Sequence, residues 1–154
     1  MKKFHLLICF FVLFAASALH SETSKEFWRG KVIFVNQYTQ EIIACLDGKE
    51  LRRFPAITGD AKFKTPQGIY RVERKNPKCW SNRYSTWMPF SLFFIWNDHA
   101  RMAIHAGIVP PKDISREKAT HGCVHARDGD AKWLFNWAKE KTTKVIVYGD
   151  RSRD

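Results

Sequence analysis

The chain has 154 residues, 26 lysines and arginines against 15 acids, a formal charge of +11 and 45% hydrophobic residues. That length is one domain's worth, able to bury a core without covalent staples. After the N-terminal run no apolar segment is long enough to span a bilayer.

Met1-Lys2-Lys3 is a short positive start, and Leu6 to Ala18, "LLICFFVLFAASA", is an apolar run. Ala16-Ser17-Ala18 has the small-x-small form of an export cleavage site. Residues 1–18 therefore read as a signal peptide; His20, Glu22 and Lys25 end the run too early for a spanning helix. Loss of Lys2 and Lys3 lowers the charge by two, to +9, since residues 1–18 carry no acid. An exported basic protein is expected to meet an anionic partner such as a wall polymer. The export signal and the dispersal of the basic residues argue against a nucleic-acid partner, and stable membrane insertion is not expected.

Residues 31–59 are rich in β-branched and aromatic side chains, with a turn signal at Asp47-Gly48. Strands are expected near 31–36, 40–46 and 50–57. Pro66 and Gly68 precede a strand at 69–75. Asn76-Pro77 breaks the pattern, so 76–91 reads as a long surface loop. Short strands are expected at 92–96 and 101–105, around a turn at Asn97-Asp98. Pro110-Pro111 opens a loop to about Thr120. In "DGDAKWLFNWAKE", Ala131, Leu134, Phe135 and Ala138 follow helical spacing, with Asp128 or Asp130 available as a cap. "KVIVYG" (144–149) is a last buried strand. The sum is a mainly β fold with one principal C-terminal helix packed on it.

Past the signal the chain keeps three cysteines, Cys45, Cys79 and Cys123. Three thiols allow one disulfide in three pairings; Cys45 with Cys79 is the one that leaves Cys123 free. Cys123 sits in "THGCVHARDGD" (120–130), between His121 and His125. A cysteine becomes a nucleophile when a histidine lies near it in space, and His105, His121 and His125 are the candidates. Gly122 removes a side chain beside the sulfur, so a carbonyl can approach and local amides can face a developing oxyanion; the same glycine also fits an ordinary turn with positive φ. A metal site built from His105, His121, Cys123 and His125 is the competing expectation, although the spaced cysteine pairs of zinc modules are absent. A non-catalytic wall-binding module is a third. His20 and His99 read as surface residues.

His105 in "AIHAG", then 14 residues, then Thr120-His121-Gly122-Cys123-Val124 resembles the L,D-transpeptidase catalytic domain of bacterial cell-wall enzymes, the YkuD-like family. That family's signature is His, 14 to 17 residues, Ser/Thr-His-Gly-Cys, an apolar residue, then usually Asn or Arg. Here position 125 is His instead. "FPAITGDAKFKTPQGIYRV" (54–72), "WMPF" (87–90) and "DAKWLFNWAKEKTTKVIVYG" (130–149) resemble further family segments, so the likeness spans about 31–149.

The resemblance implies a β-sandwich or barrel with short loops forming a lid, and a catalytic domain over 27–150. It implies Cys123 as nucleophile, His105 as base and the Ala106 carbonyl as the group orienting that base. His121 and Gly122 would shape the oxyanion site with Cys123, and Thr120 would hold the loop. His125 stands where a cation usually meets a substrate carboxylate; Arg127 is a candidate substitute. The implied reaction cuts peptidoglycan stem peptides between diaminopimelate and D-alanine through a thioester. The acyl group then passes to a second stem, to an outer-membrane lipoprotein, or to water in a carboxypeptidase or endopeptidase. No cofactor or metal is required, and the implied place is the periplasm or cell envelope.

Overall fold

The structure, a computed structural model, describes residues 29–110 and 119–150. The expected signal peptide and part of the loop after Pro110 lie outside the described residues. The elements in chain order are β1 (Lys31–Asn36), β2 (Glu41–Leu46), β3 (Lys49–Ile57), β4 (Gly68–Arg71), β5 (Arg74–Ser81), β6 (Thr86–Trp96), β7 (Arg101–Ala106), β8 (Val124–Ala126), α1 (Asp128–Trp137) and β9 (Lys144–Tyr148). They form one nine-stranded sheet in the order β4-β9-β1-β2-β3-β8-β7-β6-β5.

Local chemistry explains the first hairpins. Asp47 and Gly48 both have positive φ, 49° and 79°, which a tight β2–β3 turn requires. The Asp47 carboxylate also accepts the Gly30 N–H at 2.8 Å. β3 then changes partner: its first part pairs with β2, while Ala56 and Ile57 pair with Ala126 and His125 of β8. That switch bends the sheet on itself into a half-barrel. The Tyr70 ring of β4 lies 5.4 Å from Phe94 of β6, although the two strands are far apart in sheet order. Glu73 N–H also donates to the Phe93 carbonyl at 2.7 Å.

Ile33, Val35, Ile42, Phe94, Ile104 and Leu134 belong to the buried cluster inside the curl. Helix α1 covers one opening with Ala131 and Leu134. Arg127 is its N-cap and makes no side-chain cap bond. Asp130, an expected capping candidate, pairs instead with Arg52 at 2.7 Å. Asp128 and Asp130 still sit in the first turn, where negative charge suits the helix dipole.

Residues 76–91 are not a surface loop. They belong to a long hairpin, β5 against β6, with Cys79 opposite Met88 and Trp80 opposite Trp87. Pro77, which argued against a strand, and Pro89 both stand where their strand has only one partner. Pro77 is on β5, the sheet's last strand. Pro89 precedes Leu92, where β6 begins to pair with β7. The expected 69–75 strand is correspondingly two strands, β4 and the start of β5.

The Cys45–Cys79 bridge is also corrected. Both are free thiols; Cys45 is buried on β2, and β3, β8, β7 and β6 stand between that strand and β5 in the sheet. Such a separation does not meet the close Cα approach a disulfide needs.

Candidate active site

The site forms where β7 ends and β8 begins. These neighbours run parallel, with Ile104 opposite Val124 and His105 opposite His125. His105 is buried at 4% exposure. Its Nδ1 lies 2.8 Å from the Ala106 carbonyl. A carbonyl only accepts, so Nδ1 carries the proton and Nε2 is left as the basic atom of the neutral ring. Burial holds the His105 pKa below its usual value, and the Ala106 hydrogen bond partly offsets this.

Cys123 is the residue just before β8. Burial raises its thiol pKa, a main-chain hydrogen bond from Ala103 lowers it, and the charge of Cys79 raises it. Both directions favour the uncharged form, a thiol at Cys123 and a neutral imidazole at His105.

A buried polar network fixes the 120–123 loop. Gln40 donates to the Thr58 hydroxyl at 2.7 Å and accepts the Thr58 N–H at 2.9 Å. Thr120 N–H donates to the Thr58 carbonyl at 3.1 Å. The Thr65 hydroxyl accepts from Gly59 N–H at 2.9 Å and donates to the Gly122 carbonyl at 2.9 Å. The Thr120 hydroxyl donates to the Cys123 carbonyl and accepts the Gly122 N–H at 3.1 Å. Gly122 has φ of 103°, and a Cβ there would stand 3.0 Å from the Met102 methyl and 3.2 Å from the Lys64 carbonyl. No other residue fits that position without a shift.

The three histidines occupy different surroundings. His121 is exposed. Its ring lies 4.5 Å from Tyr84, nearly stacked, and 4.7 Å from Phe63, edge-on. His125 meets His105 at 4.7 Å between ring centroids. Its ring packs on Gly107, where a Cβ would come within 2.6 Å of Cγ. Burial, then the charges of His105 and His121, lower its pKa to about 4. His125 is thus neutral at neutral pH and brings no cation. Arg127 donates to the Pro110 carbonyl at 2.8 Å, tying the segment after β7 to the start of α1. Among the described residues no group of three or more His, Cys, Asp or Glu side chains is arranged to hold a metal.

The model of the L,D-transpeptidase catalytic domain, YkuD, matches residues 30–147. The chain belongs to this family. Solved structures agree with the YkuD assignment. An L,D-transpeptidase from Stackebrandtia nassauensis is similar at 25% identity and a TM-score of 0.64, over 80% of this chain and 57% of that one. An L,D-transpeptidase from Mycobacterium smegmatis has 20% identity and a TM-score of 0.65, over 77% and 58%. The catalytic domain of the E. faecium L,D-transpeptidase has 23% identity and a TM-score of 0.61, over 78% of this chain and 98% of that domain. The YkuD chain described here thus spans less than three-fifths of the first two relatives, and nearly all of an isolated catalytic domain. No curated protein matches it.

Phe63, Thr65, Tyr84 and Met102 were not singled out as site residues in the sequence. Thr65 lies in the Thr-Pro-x-Gly segment that carries part of the resemblance, and that is the one signal that pointed toward it.

Proposed function

We propose that this YkuD domain is a cysteine acyltransferase acting on peptidoglycan stem peptides in the cell envelope. The Cys123 sulfur attacks the carbonyl of the diaminopimelate–D-alanine bond, with His105 Nε2 taking the thiol proton. His105 returns that proton to the leaving amine of D-alanine. A thioester on Cys123 remains. An amine on a second stem peptide resolves it in transpeptidation, cross-linking the third residues of two stems; an outer-membrane lipoprotein and water are the other acceptors.

The observation that carries this is the pinned imidazole. His105 is buried, neutral and tied through Nδ1 to Ala106, on the strand beside the one that Cys123 opens. Because thiol and imidazole are both uncharged at rest, the proton moves during attack. The oxyanion falls to the loop amides of His121 and Cys123, since the Gly122 N–H already has the Thr120 hydroxyl as acceptor.

Incubation of the protein with purified tetrapeptide-stem muropeptides, followed by mass spectrometry, tests the proposal. Cross-linked dimers, tripeptide products or protein–peptide conjugates are expected and identify the acceptor. Identical product spectra for the wild-type protein and Cys123→Ala would refute it.

A further inference from the structure

The β5–β6 hairpin is more than an edge of the sheet. β6 pairs with β7 only from Leu92 onward, so Lys75–Ser81 and Thr86–Ser91 project as a two-stranded ribbon. Such a ribbon is marginally stable alone. Its turn folds over the nucleophile loop, where Tyr84 lies on His121 at 4.5 Å. One of its faces points outward, with exposed Lys78, Trp80 and Trp87; the other carries half-buried Cys79, Ser81 and Met88. Side chains alternate along a strand, so Cys79 shares the inner face with Ser81. Its sulfur makes a long contact, 3.8 Å, to the Trp80 carbonyl.

We propose that Cys79 and Cys123 are a redox pair whose disulfide fastens the hairpin over the nucleophile and switches acyl transfer off. The switching role rests on the function proposed above; the bridge itself does not. The electrostatics agree with the placement, because the charge of Cys79 is felt at Cys123. Cys45, the third thiol, is buried on a distant strand and takes no part.

The bond forms by thiol–disulfide exchange with a small disulfide oxidant, RSSR. The Cys79 thiolate attacks one sulfur of RSSR and expels RS⁻, giving a mixed disulfide. The Cys123 thiolate, its proton taken by His105, attacks the Cys79 sulfur and expels a second RS⁻. The two protein thiols are oxidised, RSSR is reduced to two RSH, and the two thiol protons end on those products. Excess dithiol reverses the reaction. Closure requires the ribbon, which β7 does not pair before Leu92, to bring the two Cα atoms to the ~5.5–6 Å separation of an ordinary disulfide.

The test uses the full chain without its signal, equilibrated in buffers of oxidised and reduced glutathione. Intact mass under non-reducing conditions, peptide mapping and iodoacetamide labelling are read together. Oxidation is expected to remove the mass of two hydrogens, link the Cys79 and Cys123 peptides, and abolish labelling at both; excess reductant restores it. Cys45→Ala is expected to behave as wild type. Cys79→Ser is expected to leave Cys123 unbridged, labelled or carrying glutathione. A Cys45-containing bridge, or Cys123 that remains fully labelled beside unlinked Cys79 under oxidising conditions, would overturn the proposal. None of these readouts uses acyl transfer. A bridge without muropeptide turnover by the reduced protein would reject the function and keep the redox pair; turnover without a bridge would do the reverse.

Discussion

At the scale of single residues, the site depends on who holds the proton. The low His105 pKa keeps its imidazole basic to pH values below the ordinary ~6.5. The rate of Cys123 acylation is therefore expected to hold as pH falls to about 6.5 and to decline only below it, as measured by kcat/KM against pH. An acid limb well above 6.5 would contradict the neutral-base assignment. Thr65 is the residue whose removal separates positioning from chemistry. Thr65→Val deletes a hydroxyl that joins Gly59 to Gly122 and leaves their N–H and carbonyl without that partner. A stability loss of about 1–3 kcal/mol in urea unfolding is expected, with slower Cys123 alkylation but an unchanged pH limb; Thr65→Ser is expected to recover both. In the sequence, His105 and Cys123 stood out by spacing, and Gly122 by its place beside the sulfur. Thr65, Phe63 and Tyr84 did not, because each reaches the 120–123 loop only through the closed sheet.

At the scale of elements, the nucleophile loop and the helix show why some of the fold was legible and some was not. β1 to β3 are alternating strands joined by an Asp-Gly turn, a local signal that tertiary structure had no reason to override. The β5–β6 hairpin was obscured by Pro77, a residue costly in a central strand and tolerated on an edge strand. β8 is only three residues long and carries no pattern of its own. Its pairing with β7 and β3 defines it. Gly122→Ala is expected to destabilise the loop by about 1–2 kcal/mol from its positive φ alone, with further cost at Met102. A chemical denaturation midpoint indistinguishable from wild type would show that the loop does not hold that conformation. Leu134→Ala, on the buried face of α1, is expected to cost about 2–5 kcal/mol in the same assay.

At the scale of the whole molecule, the curled sheet buries His125 as a neutral ring, and that links global stability to pH. Its folded pKa of about 4 is depressed below the ordinary ~6.5 of an unfolded chain. The unfolded state therefore binds more protons between those values. The stabilisation is complete above pH ~6.5 and is lost as pH falls toward 4, with His105 acting in the same direction. Between about pH 7.5 and about pH 5 the loss from His125 is roughly 2 kcal/mol. Urea unfolding at the two pH values is expected to show it, and His125→Asn to weaken it.

The proposed function places the chemistry on one sulfur, that of Cys123. The most direct measurement is intact mass spectrometry after mixing the protein with a tetrapeptide-stem muropeptide. A covalent adduct of the tripeptide-stem acyl group on Cys123, released by a thiol or amine nucleophile, is expected for the wild type. It should be strongly reduced in His105→Gln and absent in Cys123→Ala. An adduct that persists in Cys123→Ala, or none in a wild-type protein whose Cys123 is fully reduced, would contradict the account.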